Sequence, residues 1–524
     1  MSVVGGARRL ALGAPAHEAE GSLSLGRIAL IAAICAIPIV LFIPFLAEPF
    51  FRDEGLYAAV AQVILDGDVP YRDAFDNKPP LVFVWYALSF VMFGEHVWAP
   101  RLLVALMLSG STLLMYLEGR LLFSHRAGIV AALALAFSFG LATLETGANT
   151  EFFMILPLVA ALYTFSMGQK TGHSRWYMAA GFLSGVAIAT KHISLFVLAL
   201  YLVLAAWPLL RSQGLHAVTS ADFRRSVGGL GAGCVAAFIV VVAPFVATGT
   251  VPELWEATVV YTLQYVNDVP TGQKLEVLQK SPLYLTLVLG PWMFLAVAGI
   301  AQMARSGAGG HGPLVFGWLA ANWLGIVAAG RFYDHYYVTL LPGLALMAPL
   351  GAMYIRDRQF SRPAGIALTV VFGLLLVSVL SQNARIYFQP SLEERHIAKY
   401  PHDDRAPWEN EGPAFGSWIQ ARTEPGDGIY NFGFQSELYF YADRRSPTRF
   451  IMDRPFWTND AYIDQALAEL DADPPLYVID SAINEEWTEQ KQYTTEIKEW
   501  IVANYEYVGQ VYYADVYRLR AASE

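Results

Sequence analysis

About eleven stretches of this chain are apolar for long enough to cross a bilayer, and that pattern leaves few folds open. A helix rising 1.5 Å per residue needs about 20 residues to span the hydrocarbon. Runs near that length lie at 27–49, 101–122, 127–145, 150–168, 177–190, 192–210, 226–248, 283–304, 313–329, 335–355 and 363–382. In lipid every backbone N–H and C=O must find its partner within the segment or a closed barrel, so such runs fold as helices. Composition agrees, since 55% hydrophobic against 15% charged residues exceeds what a soluble core of this size requires. The runs at 177–190 and 192–210 are nearly contiguous and read either as two helices or as one broken and one full helix, which changes the parity.

The basic residues orient the bundle. With eleven spans and a cytoplasmic N-terminus, 14 of the 22 Lys and Arg before residue 385 fall inside, among them Arg120, Arg126, Lys170, Arg175, Arg211, Arg224, Arg225, Arg305, Arg356 and Arg358. That is the bias expected of cytoplasmic loops. The first 26 residues lack a signal-peptide cleavage pattern, so the first span is expected to be retained as an anchor behind a disordered cytoplasmic tail. From about residue 385 the pattern turns soluble, with connectors at 389–413 and short stretches such as GIYNFGF, LYFYA, LYVID and YVGQVYYADVYRL. The chain therefore divides into a tail (1–26), a mainly α membrane module (27–384) with external loops at 51–98 and 249–282, and a small external α/β domain (385–524).

Charge is unevenly shared. The last segment holds 25 acidic and 13 basic residues, about −12, while the rest of the chain is near +2, so the net −10 is a property of that segment. A surface of that sign excludes nucleic acid and anionic lipid as bulk electrostatic partners. Arg444, Arg445 and Arg449 could still meet an anion locally, or form a solvated face. The two cysteines, Cys35 and Cys234, lie in predicted spans and offer no disulfide framework.

The unusual polar residues of the membrane module fall on one side. Asp53, Glu54, Arg72, Asp73, Asp76, Asn77 and Lys78 follow the first span, and Glu145, Asn149 and Glu151 lie at the second external turn. Lys191 and His192 occupy the third, Asp268, Lys274 and Lys280 the long loop, and Arg331, Tyr333, Asp334, His335 and Tyr336 the turn after the ninth span. A transporter would place ionisable groups near the midplane and on both sides of its gate. One-sided clustering reads instead as a catalytic cavity. Separated cations can neutralise a departing phosphate while a carboxylate takes a proton from an acceptor hydroxyl.

Each residue also has a plainer reading. Lys78 and Lys191 could snorkel to lipid headgroups, Asp53 could cap the amphipathic segment GLYAAVAQVIL, and Glu145 and Glu151 could cap or end helices. His192 and His335 could be hydrogen-bonding aromatics rather than ligands.

Several segments carry a family likeness. DEGLYAAVAQVILDGDVP, NKPPLVFVWYALSFVMFGEHVWAPRLLVAL, GRLLF, TGANTEFFMILP, GVAIATKHISLF and RFYDHYYVTLLPGLALMAP, in that order over residues 50 to 355, resemble the GT-C glycosyltransferases of the protein-mannosyltransferase and aminoarabinose-transferase (ArnT-like) superfamily. The resemblance implies a polytopic GT-C fold. It maps the catalytic acidic position to Asp53 with Glu54 beside it. Donor-phosphate positions map to Lys78, Lys191, Arg331 and Tyr333, and Asn77, Asn149, Glu151, His192 and His335 support them. Two departures stand out: the second site reads Asn149-Thr150-Glu151 where many relatives carry Asp, and His192 replaces a common glycine.

The resemblance further implies a polyprenyl-phosphate sugar as donor, transfer with inversion, and a glycolipid, polysaccharide or protein as acceptor, in a bacterial inner membrane with the C-terminal domain periplasmic. Oxygen ligands at Asp53, Glu54 and Glu151 would admit a divalent magnesium or manganese ion. Two other classes stay open, a lipid-carrier flippase and a non-catalytic polysaccharide-assembly subunit.

Overall fold

A computed structural model describes residues 24–306, 311–358, 360–400, 406–481 and 492–521. The expected disordered tail, all but its last three residues, lies outside them. The described chain is mainly helical with one small sheet, as its composition requires. It forms two compact units, each gathered from separated stretches of sequence.

The first unit comprises Met1–Phe45, Arg101–Val241 and Thr271–Phe388. Among the described residues of the whole chain, nine helices are long and apolar enough to cross a membrane: Leu25–Phe45, Trp98–Leu122, Thr150–Thr171, His192–Thr219, Ala221–Thr248, Thr271–Arg305, Gly312–Ala329, Asp334–Asp357 and Arg362–Tyr387. The stretches expected at 127–145 and 177–190 form shorter helices, His125–Ser138 and Ser174–Thr190. The former is followed by a 3₁₀ turn over Ala142–Leu144, which closes on Glu145 in the left-handed conformation. Of the two readings of 177–210, two helices is the one adopted. Lys191 stands between them in extended conformation (φ −155°, ψ 129°), followed by a 3₁₀ turn at His192–Ser194.

Small residues set a close helix crossing. Gly181 and Gly185 on one helix face Leu230, Cys234 and Ala237 on another, while Gly233 faces Met178 and Phe182. A Cβ at Gly181 or Gly233 would strike backbone of the facing helix. Bilayer helices gain no hydrophobic drive from one another, so such close approach is how they adhere.

The second unit comprises Leu46–Pro100, Val242–Pro270 and Gln389–Glu524. The region expected as one external loop, 51–98, holds two helices, Arg52–Leu65 and Leu81–Phe93. The second begins directly after Pro79-Pro80, whose fixed φ suits a helix start. At 13 residues it reaches about 20 Å, short of a full span. In the other expected loop, 249–282, the chain coils through Val251–Trp255, a π-helical turn at Glu256–Tyr261 and Thr262–Asn267. The 36-residue helix Thr271–Ser306 then starts well before the apolar run that signalled it. Hydropathy marks only the lipid-facing part of a helix, so its polar first turns were read as loop.

The C-terminal stretch supplies the sheet, with β1 (Ile429–Phe432), β2 (Tyr477–Asp480), β3 (Tyr505–Val511) and β4 (Ala514–Leu519) in the order β1-β2-β4-β3. β1 and β2 run parallel, which demands a crossover, and the helix Ala461–Ala472 lies between them in sequence. β3 and β4 form a hairpin bulged near Gly509 (φ +141°). β1 and β2 are buried at every position, whereas β3 exposes Glu506, Tyr507 and Val508. The stretch LYFYA lies in a helix, Glu437–Ala442.

Candidate catalytic and phosphate-binding site

The sequence candidates fall into two sets, one in each unit. In the second unit Phe51, extended, caps the helix Arg52–Leu65, which places Asp53 and Glu54 in its first turn. The capping reading of Asp53 is therefore displaced by two residues, although a carboxylate there still favours the helix dipole. Glu54 is buried and accepts from the Phe51 backbone N–H at 3.2 Å, so it closes the helix end.

Asp53 and Lys78 share Tyr57. The Tyr57 hydroxyl donates to Asp53 Oδ2 at 3.5 Å, and Lys78 Nζ lies 5.8 Å from the centroid of the Tyr57 ring. Lys78 Nζ also donates to Asn77 Oδ1 at 3.1 Å and lies 3.8 Å from Asp76 Oδ1. Its ammonium thus stands among a carboxylate, an amide and an aromatic face rather than in a lipid-facing stripe. Burial pushes the Asp76 carboxyl above its ordinary range, Lys78 opposes that shift, and Asp53 adds to it. The Lys78 backbone is held too, since the Tyr71 hydroxyl donates to its carbonyl at 2.8 Å and Thr262 donates to the Asn77 carbonyl at 3.2 Å.

In the first unit four elements meet. The helix Thr150–Thr171 opens at Asn149 and puts Glu151 in its first turn, fully buried. Lys191, from the break between helices, donates from Nζ to Glu151 Oε1, and Thr150 donates to Glu151 Oε2 at 2.8 Å. The Lys191 ammonium also sits 3.7 Å above the Tyr336 ring. His335, in the 3₁₀ turn Asp334–Leu340, hydrogen-bonds through Nδ1 to Glu145 and places Nε2 3.9 Å from Glu151 Oε2. One imidazole therefore links two carboxylates. Tyr333, the most exposed member, stacks on His335 at 5.7 Å between centroids.

Arg331 follows Gly330, whose positive φ (68°) ends the helix Gly312–Ala329 and which packs against the Lys274 side chain. His192 is half-buried in its turn. Asn149 is buried with neither side-chain amide atom hydrogen-bonded.

Backbone strain collects in both sets. Five described non-glycine residues have positive φ, and Tyr71 (72°), Glu145 (56°) and Phe332 (54°) belong to the loops carrying Lys78, Glu151 and His335. Left-handed backbone in such residues costs energy and persists only where the surroundings enforce it.

Sequence reasoning passed over Tyr57 and Tyr71, named Asp76 and Tyr336 without giving them a role, and gave Glu145 only that of capping or ending a helix. Tyr57 lies one helical turn beyond Asp53, and that i,i+4 spacing could have found it. The role of Tyr336 depends on a fold-level meeting that no spacing encodes. The divalent cation finds no support in grouping, because among the described residues no three His, Cys, Asp or Glu side chains are placed to hold a metal.

Residues 77–222 match the family model described as dolichyl-phosphate-mannose-protein mannosyltransferase. The Bacillus subtilis (strain 168) protein named "Putative mannosyltransferase YkcB" is 31% identical over 134 residues, 25% of this chain and 18% of its own. The chain thus spans under a fifth of that relative's length. Among solved structures, ArnT from Cupriavidus metallidurans bound to undecaprenyl phosphate aligns over 95% of this chain and 99% of its own, with TM-score 0.58 and 17% identity. Its apo form gives 0.59 at 16% identity, over 95% and 98%. The Archaeoglobus fulgidus oligosaccharyltransferase tethered to an acceptor peptide gives 0.52 at 13% identity, over 86% and 68%. The likeness to GT-C glycosyltransferases read from the sequence is borne out in the fold. The chain is a multi-pass membrane protein with the GT-C architecture of ArnT.

Proposed function

We propose that this chain is a membrane glycosyltransferase that moves a sugar from a polyprenyl-phosphate donor to a hydroxyl or phosphate of a glycolipid, polysaccharide or protein. The reaction takes place on the external face of a bacterial inner membrane, with inversion. The observation that carries the reading is the Asp53–Tyr57–Lys78 group, a carboxylate at the hydroxyl of one tyrosine and an ammonium over its ring. The printed names of the similar proteins, two mannosyltransferase descriptions and an ArnT holding undecaprenyl phosphate, support the donor class.

In this reading the acceptor oxygen attacks the anomeric carbon from the face opposite the phosphate. The carbon–oxygen bond to the carrier breaks as the new one forms, and the acceptor proton passes to Asp53. The electron pair leaves with the polyprenyl phosphate, whose added charge Lys78 stabilises; Lys191 and Arg331 are the further donor-phosphate positions that the family resemblance assigns. Interactions that strengthen only as that charge develops raise the rate. Glu54 holds the helix carrying Asp53 in place, while Glu151 and His335 hold Lys191, and Tyr333 borders the same group.

The test is sugar transfer by membranes containing the wild type or Asp53→Asn, with a panel of radiolabelled polyprenyl-phosphate sugars and label followed into lipid, polysaccharide and protein. Loss of a general base lowers the rate by about 10²–10⁴-fold, so the variant should make little or no product. A wild type that moves intact donor across the bilayer and forms no glycosidic bond would sink the proposal in favour of a flippase.

A further inference from the structure

Arg449 was read from the sequence as one of three arginines on a solvated or anion-meeting face. The structure gives the three different surroundings. Arg445 is exposed and pairs with Asp66 and Asp68. Arg444 is buried, donating to Thr423 and to the carbonyls of Ala442 and Asp443. Arg449 is 8% exposed and grips Glu256 with both guanidinium nitrogens, each at 3.1 Å. It also donates to Gln465 at 3.0 Å and to the Tyr71 carbonyl at 3.4 Å, and its own carbonyl accepts from the Phe75 N–H at 2.7 Å. The rings of Phe75 and Phe450 lie within 5.1 Å of its guanidinium carbon.

Both ends of that grip lead to Lys78. Tyr71, whose carbonyl Arg449 holds, donates its hydroxyl to the Lys78 carbonyl. Glu256 opens the π-helical turn that runs into Thr262, and Thr262 donates to the Asn77 carbonyl. The two peptide carbonyls at 77 and 78 are therefore each held by a hydroxyl whose own segment Arg449 ties down. A π turn is a rare element that tends to occur where function requires an offset. A planar fork on a carboxylate fixes orientation as well as charge.

We propose that Arg449, acting through Tyr71 and the Glu256–Thr262 turn, is the positioning residue for the Lys78 ammonium, which makes the C-terminal segment a working part of the donor-phosphate site. The inference rests on the donor-phosphate reading of Lys78 given above. Arg449 touches no reacting atom in this scheme. Its effect is felt in how well a phosphate is held, and it depends on the fork rather than on bare positive charge.

The experiment measures binding of a polyprenyl monophosphate to the purified full chain in nanodiscs, alongside transfer kinetics. Tyr71→Phe and Thr262→Val each remove one hydroxyl and should weaken binding by about fivefold, the usual worth of one hydrogen bond. Arg449→Lys keeps the charge, loses the fork, and should weaken binding likewise, with donor KM rising more than kcat falls. In a Lys78→Met background, Tyr71→Phe and Thr262→Val should change binding by less than about twofold, since residues acting through one group are not additive. Should Arg449 variants fail to fold, the two hydroxyl deletions alone decide the matter. Wild-type affinity in those deletions, or losses that persist in full without Lys78, would overturn the inference while leaving the proposed function standing. A wild type that neither binds the phosphate nor transfers sugar would take both down.

Discussion

Lys78 and Lys191 are both buried or nearly so, yet each stands beside carboxylate and aromatic partners of a different make. Lys191 is matched by Glu151, which in turn is shared with His335. Lys78 faces Asp76, whose second carboxylate oxygen is buried without a hydrogen bond. Because burial raises the Asp76 pKa above its value in the unfolded chain, its contribution to stability is complete below the ordinary carboxylate range and is lost as pH rises through the raised value. Asp76→Asn does not titrate. Melting of the two proteins in detergent should show the wild type losing ground to the variant as pH rises above about 4. A gap that stayed flat with pH, or widened in the wild type's favour, would refute this.

At the scale of elements, the helices that were legible in the sequence are those whose signal is apolar length. Residues 101–122, 150–168, 313–329 and 363–382 all became helices within a few positions. Elements with mixed composition or short length were not legible. The polar start of Thr271–Ser306 carries no hydropathy signal of its own, and the apolar helix after Pro80, at 13 residues, is too short to read as a span. The site divides the same way. Asp53, Lys78, Glu151 and Lys191 announce themselves as charges in apolar surroundings, whereas Tyr71 and Arg449 gain their roles from segments hundreds of residues apart. Small residues give a further test. Gly181→Leu would drive a branched side chain into the backbone of the helix carrying Leu230. That helix pair should separate, and the variant should appear in membranes at a small fraction of wild-type yield in detergent-resistant, monodisperse form. Yield and dispersity equal to the wild type would show that the crossing is not a constraint.

At the scale of the whole molecule, the second unit is sewn together from three stretches by buried contacts. Lys399 pairs with Glu48, both nearly inaccessible, and Tyr400 stacks on Phe51 at 4.0 Å with the rings 8° from parallel. The Tyr441 hydroxyl accepts from the Phe50 N–H at 2.8 Å. Lys399→Met would leave Glu48 charged in an apolar setting, a loss of about 3–5 kcal/mol for a pair broken on one side. Thermal melting should fall accordingly, and the double variant Lys399→Met with Glu48→Leu should recover much of the loss. No recovery would mean that the pair does more than neutralise itself. Because the unit draws on residues 46–100, 242–270 and 389–524, its first stretch leaves the ribosome long before its last. The loop that carries Lys78 must wait through the synthesis of some 370 further residues for the arginine at 449. A ribosome that stalls late would release a chain with its bundle helices made and this loop unbraced, so quality control at the membrane has a late and well-defined step to inspect.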